Sequence, residues 1–440
     1  MKANKEKKIR SSIVRDSLDT FGTNAFGSVL SLIAAFMVLN RVNPQIKGLY
    51  NTVQLWGGGL STILSLSINS AVIYFVSRYK IQNTQAAIRK LTLWISGAIV
   101  LIGTALVLTL RHSSSFMGTP GSYLLAIVIY GVSSFVLNIC IAVLRGENKF
   151  RSYNMIVLIQ RILVTALAVI VFLHPSAAIW VWATIAISCA MIILALFSVK
   201  RWSGPMPQPS SEDDIPIQTG SIMKYSLKAH VSNVMTYLNT NFGSYVVQGS
   251  YGGGNFGVYS TAVTMMQQVW ILPDAVSQVI MSRIASMKEQ NDKLKLTLIS
   301  SKIVTYVTIV SAVLLVWVAN VFVPKIFPMY VGALAPLKYL IVGSVFISYA
   351  KVLTNSISAY GRPELNIIPT ALGIFANILF SFLLIPLMGV NGVAMATSIS
   401  LTIQGLTSII IFCIFTKTPF YKLIIPSREE ISTVKGIIKR

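Results

Sequence analysis

The sequence predicts an all-α integral membrane protein: twelve transmembrane helices in two six-helix lobes related by a pseudo-twofold axis. Three observations predict it. The 440-residue chain is 54% apolar and 11% charged, with a mean hydropathy of +0.70. Apolar stretches of about 18 residues or more recur along it, each able to cross a hydrocarbon core of about 30 Å as a helix. Lipid leaves backbone polar groups no outside partner, and the alternation of a barrel strand is absent, so the spans are helical. The pattern also runs twice. Ser17-Leu18, Asn24, Gly48 and Tyr50 are followed at one constant offset by Ser226-Leu227, Asn233, Gly257 and Tyr259. After a short deletion, Asn69, Ser77 and Arg78 fall on Asp274, Ser282 and Arg283.

The elements follow in order. Residues 1–16 are a basic cytoplasmic N-terminus (Lys2, Lys5, Lys7, Lys8, Arg10 and Arg15). The apolar stretch after it is full length and lacks a cleavage site, so it reads as a retained first span. The N-lobe, 17–199, holds spans at 17–40, 49–76, 91–110, 122–144, 153–173 and 177–199. Residues 200–224 are a cytoplasmic linker whose Pro, Ser and acid content suits a flexible connector. The C-lobe, 225–415, holds spans at 225–248, 256–282, 302–323, 335–359, 366–388 and 391–415. Residues 416–440 form a basic cytoplasmic tail. With the N-terminus inside, and with Lys228, Lys302 and Lys338 at the span ends counted with the adjoining segments, 29 of the 36 Lys and Arg fall on the inner side and five on the outer, the asymmetry that orients membrane helices. Six spans per half is an even number, so the repeats enter the membrane in the same direction and their axis runs along its normal.

Net charge is +23. In a soluble protein that would suggest nucleic acid, but no RNA- or DNA-binding pattern occurs and the charge sits in short loops. Cys140, Cys189 and Cys413 lie in apolar spans and suggest no disulfide framework. There is no P-loop, no His-Glu-x-x-His helix and no outer loop large enough for a catalytic domain. The chain therefore reads as no enzyme, with no metal and no cofactor beyond a coupling ion, H+ or Na+.

Charges inside spans cost at least about 2.5–3.5 kcal/mol on insertion scales and are candidate functional residues by default. Arg161 and Lys351 are the cations deep within their spans, each placed about 12 Å from the inner face, one from each half. Together they suit an anionic group held between the lobes. Asn69 and Asp274 are the repeat-related pair. Asp274 follows Pro273, which frees a backbone carbonyl, and its carboxylate suits a coupling ion or a cavity cation. Asn24 and Asn233, also repeat-related, are candidate contacts for substrate hydroxyls or plain interhelical bonds. His230 is a candidate for the inner mouth. Arg78 and Arg283 end their spans at the inner face and Arg41 at the outer face; orientation alone explains them, and contact with a phosphate is the sharper reading. Gly57-Gly58-Gly59 is expected to bend the second span or let helices approach.

Several motifs carry a resemblance. They are Gly48-Leu49-Tyr50 with its repeat Gly257-Val258-Tyr259, the run Leu144-Arg145-Gly146-Glu147-Asn148-Lys149-Phe150, and Gly361-Arg362-Pro363-Glu364-Leu365-Asn366. After these come Asn377 and Pro386-Leu387-Met388-Gly389-Val390-Asn391-Gly392-Val393-Ala394-Met395-Ala396-Thr397. In order and spacing, over about residues 15–415, the chain resembles the Wzx-type flippases of the multidrug/oligosaccharidyl-lipid/polysaccharide (MOP) exporter superfamily. The resemblance implies a V-shaped fold of two six-helix lobes and alternating access. It also implies a bacterial cytoplasmic-membrane location and export of undecaprenyl-pyrophosphate-linked oligosaccharide for capsule, exopolysaccharide or O-antigen. The partners are then that lipid-linked sugar, membrane lipids and other polysaccharide-assembly proteins. Two rivals are an ion-coupled multidrug (MATE-like) antiporter and, from another class, a membrane polysaccharide polymerase or ligase. The first tends to want cavity acids, whereas the in-span balance here leans cationic. The second is expected to carry a long outer loop, and none is present.

Overall fold

The computed structural model describes residues 22–23, 26–113, 116, 119–199, 217–271, 273–274, 276–277, 284 and 289–424. The N-terminus 1–16, Ser17, Leu18, most of the linker 200–224 and the end of the tail lie outside the described residues. Among the described residues every regular element is helical. In chain order these are α1 (Phe26–Arg41), α2 (Pro44–Leu64), α3 (Ile68–Leu110), α4 (Gly121–Gly146), α5 (Phe150–Leu173) and α6 (Ala177–Ser198). They continue with α7 (Thr219–Gln268), α8 (Gln290–Ile326), α9 (Leu334–Ala359), α10 (Ile367–Met388), α11 (Val390–Thr416) and the short α12 (Tyr421–Ile424). Single 3-10 turns, Pro328–Ala333 and Pro363–Asn366, lead into α9 and α10.

Among the described residues eight helical segments are long and apolar enough to cross a membrane, or nine if one bent pair counts as a single span. The eight coincide with predicted spans three to six and nine to twelve. The predicted spans that differ are the first two of each half, where polar residues are densest. Helix α1 is a shorter apolar helix. The second span, predicted as 49–76, starts earlier because Asn43 caps α2 by accepting the Ile46 N–H at 2.8 Å and Pro44 occupies the first turn. It then breaks at Ser65–Ser67, with a 52° bend between Pro44–Leu64 and Ile68–Tyr79. The predicted loops also shrink. Helix α3 runs on through the segment after residue 76 predicted as an inner loop, which contains neither Gly nor Pro to stop it. Helix α7 joins predicted spans seven and eight across a kink at Gly252, whose φ of 77° only glycine adopts readily. Helix α8 begins at Gln290, a dozen residues before predicted span nine.

The chain divides into two compact units, Met1–Val234 with Gln248–Gly257 and Met235–Val247 with Val258–Arg440, so α7 contributes to both. In the first unit, Ile68, Val72, Ile88, Ile99, Ile127, Phe135, Leu144 and Val171 form a fully or nearly fully buried core. Tyr50 of α2 stacks on Trp180 of α6, ring centroids 3.9 Å apart. A Cβ at Gly57 would press on the Ile127 carbonyl and Tyr130, so this glycine lets α2 and α4 touch backbone to backbone. Gly57 of the triplet therefore serves close approach, and the bend lies about two turns further on.

In the second unit, α9, α10 and α11 pack through small residues. The Gly343 N–H donates to Ser398 Oγ at 2.9 Å, and a Cβ at Gly405 would meet the Phe346 backbone. Gly389, at φ 57°, turns the chain between α10 and α11. A buried polar network ties α7 to both. Asn239 donates to Gln404 Oε1 at 2.7 Å and accepts from Ser400 Oγ at 2.7 Å, while Asn377 donates to the Asn239 carbonyl at 3.3 Å. Asn377 of the sequence motif is thus a structural residue, fully buried.

Candidate functional site

The second unit holds an ion pair built on a helix break. After α7 ends at Gln268, Val269 and Trp270 form a turn whose N–H groups donate to the Met266 and Gln267 carbonyls. Helical residues resume at Ile271, with Pro273 in the new first turn. Asp274 therefore leaves the break one turn beyond Trp270, whose carbonyl accepts the Asp274 N–H at 2.9 Å. From α9, Lys351 places its Nζ 2.7 Å from Asp274 Oδ1 and 4.2 Å from the centroid of the Trp270 ring. The ammonium thus lies between a carboxylate and an aromatic face, two sites that each favour a cation. The Lys351 side chain is 24% exposed and that of Asp274 49%, so the carboxylate is the outer member of the pair.

The first unit holds the repeat-related break. At Ser65–Ser67 the backbone of Leu66 (φ 50°) and Ser67 (φ 56°) enters the left-handed region, which costs a non-glycine residue about 1–2 kcal/mol. Ser67 Oγ accepts the Asn233 Nδ2–H at 2.9 Å and lies 3.3 Å from His230 Nδ1. Two residues on, Asn69 Oδ1 is buried and has no hydrogen-bond partner among the described residues. Asn69 and Asp274 thus occupy equivalent places after equivalent breaks, one neutral and one charged.

Arg161 stands in the middle of α5. Its guanidinium donates to Ser31 Oγ of α1 at 3.0 Å, Ser31 in turn donates to the Gly27 carbonyl at 2.9 Å, and the Arg161 stem lies over Gly27. Helix α5 starts at Phe150, which sets Arg161 about 16 Å along it, while Lys351 lies about 12 Å before the end of α9. Among the described residues Arg161 meets no carboxylate.

The weaker candidates are dispersed. Arg78 donates to the Tyr74 hydroxyl at 2.9 Å and sits 5.6 Å from the Tyr79 ring. Arg41, exposed at the end of α1, lies 5.8 Å from the Phe172 ring. Asn24 and Arg283 lie outside the described residues. Sequence reasoning missed Trp270, Ser67 and the left-handed turn. Trp270 was legible in principle, three residues before Pro273 in a span already under suspicion. A left-handed Leu66-Ser67 has no sequence signal. Among the described residues no group of three or more His, Cys, Asp or Glu could hold a metal ion.

Long apolar helices, with breaks at repeat-related positions of the two halves, define a multi-pass membrane protein. The chain belongs to the polysaccharide biosynthesis protein family, whose model matches residues 13–273. Its fold is that of MOP-superfamily exporters. It is similar to an inward-facing multidrug resistance MATE family transporter of that superfamily (14% identity, TM-score 0.65, covering 92% of this chain and 98% of that one). It is also similar to the lipid II flippase MurJ in an inward closed conformation (16% identity, TM-score 0.66, 93% and 89%). A third match is a MOP-superfamily transporter from Pyrococcus furiosus, described as having a binding pocket of reverse polarity (14% identity, TM-score 0.62, 93% and 96%). No curated protein matches the sequence.

Proposed function

We propose that the chain is a Wzx-type flippase. It moves polyprenyl-pyrophosphate-linked oligosaccharide from the inner to the outer leaflet of the bacterial cytoplasmic membrane, with both termini inside and two six-helix lobes alternating in access. The observation that carries this reading is the sign of the in-span charge. Asp274 is matched by Lys351, and Arg161 remains cationic with a neutral partner, so the balance suits a phosphate-bearing head group and not a cationic drug. Cations offset the cost of bringing phosphate charge into low dielectric, while the polyprenyl tail stays in lipid. Asp274, the outer member of its pair, serves as the site for a coupling H+ or Na+, and Asn69 is its neutral counterpart.

Transbilayer movement of lipid-linked saccharide in proteoliposomes tests this. Arg161→Ala slows movement about tenfold or more, the loss expected when a charged hydrogen bond to the substrate is removed, while the amount of inserted protein stays the same. Unchanged movement by the Arg161→Ala/Lys351→Ala double variant would remove both cations from the substrate path.

A further inference from the structure

We propose that the break at Leu66–Ser67, together with His230 and Asn233, is a saccharide-hydroxyl subsite. This rests on the flippase reading and adds to it where the sugar part of the substrate is held. Irregular backbone at membrane depth is tolerated only where it is buried in protein or lines a water-filled space, and discontinuous helices are where transporters build their sites. Here two adjacent non-glycine residues hold a left-handed conformation, a strain that persists only when its surroundings require it. The surroundings are a hydroxyl, an amide and an imidazole converging from two elements more than 160 residues apart in sequence. None of the three is a fixed charge. That set offers donors and acceptors together, which suits a sugar hydroxyl, itself both donor and acceptor; it suits neither a phosphate nor a bare cation. Asn233 is exposed and His230 half-buried, so both are open to a ligand. Just beyond the bend, Asn69 Oδ1 is a buried acceptor with no hydrogen-bond partner among the described residues.

The subsite predicts a difference between two ligands. The full-length protein in nanodiscs is titrated with undecaprenyl pyrophosphate and, separately, with the polyprenyl-pyrophosphate saccharides extracted from its native host. Asn233→Ala weakens binding of the saccharide-bearing lipid about tenfold and leaves binding of the sugar-free carrier unchanged, and Asn233→Gln restores part of the loss. Equal weakening of both ligands would mean that Asn233 only pins the bend, and no weakening of either would remove it from the path; either result overturns the subsite. Failure of the wild-type protein to bind either lipid would instead overturn the flippase reading itself.

Discussion

Lys351 and Asp274 decide how much the charged pair contributes. Removing one member leaves the other unmatched inside the bundle, and an unpaired interior charge is costlier than no charge at all. Asp274→Ala therefore destabilises the detergent-solubilised protein more than Asp274→Ala combined with Lys351→Met. A double-mutant cycle on thermal unfolding should return a coupling of about 1–2 kcal/mol, kept at the low end because the Asp274 side chain is half exposed. A coupling near zero would show the two groups to be independently solvated. Both residues were legible as sequence, since charges inside apolar runs stand out. Pairing of Asp274 with a cavity cation was one of the expectations, but which cation was not legible, because Lys351 is 77 positions away and nothing local announces it. Arg161 was equally visible, but its hydrogen bond to Ser31, 130 positions away, was not.

Among the elements, the bent second span of the first unit is where local chemistry and tertiary demand conflict. Leu66→Val, a β-branched residue at a φ of 50°, should lower stability by about 1–2 kcal/mol, whereas Leu66→Gly should hold it within about 1 kcal/mol of wild type. The reverse order in thermal unfolding would mean that the turn is not left-handed. The glycines separate in the same way. A Cβ at Gly48 would collide with the Gly253 carbonyl, so Gly48→Ala should cost about 1–3 kcal/mol. Gly58 has open space around it, and Gly58→Ala should be neutral or stabilise by up to about 1 kcal/mol. The late helices were readable because α10 and α11 carry no charged residue and Gly389 marks their turn. The first two helices of each half were not readable to the same accuracy, because the polar residues that suit them to a site also blur their hydropathy.

For the whole molecule, the surplus of basic residues on one side predicts that both ends face the cytoplasm. A green fluorescent protein fused after Thr418 should fluoresce, and alkaline phosphatase fused there should be inactive; the opposite result would invert the topology. Duplication was the part of the architecture most open to inspection, since Ser226, Asn233, Gly257 and Tyr259 repeat Ser17, Asn24, Gly48 and Tyr50. Divergence since that event has left the halves unequal, with Asn69 in one copy where the other carries Asp274. A chain assembled from two first halves would have lost its carboxylate, and one assembled from two second halves would own a pair of them. The present chain carries one, so under the coupling role proposed for Asp274 the stoichiometry at this position is limited to a single proton per cycle.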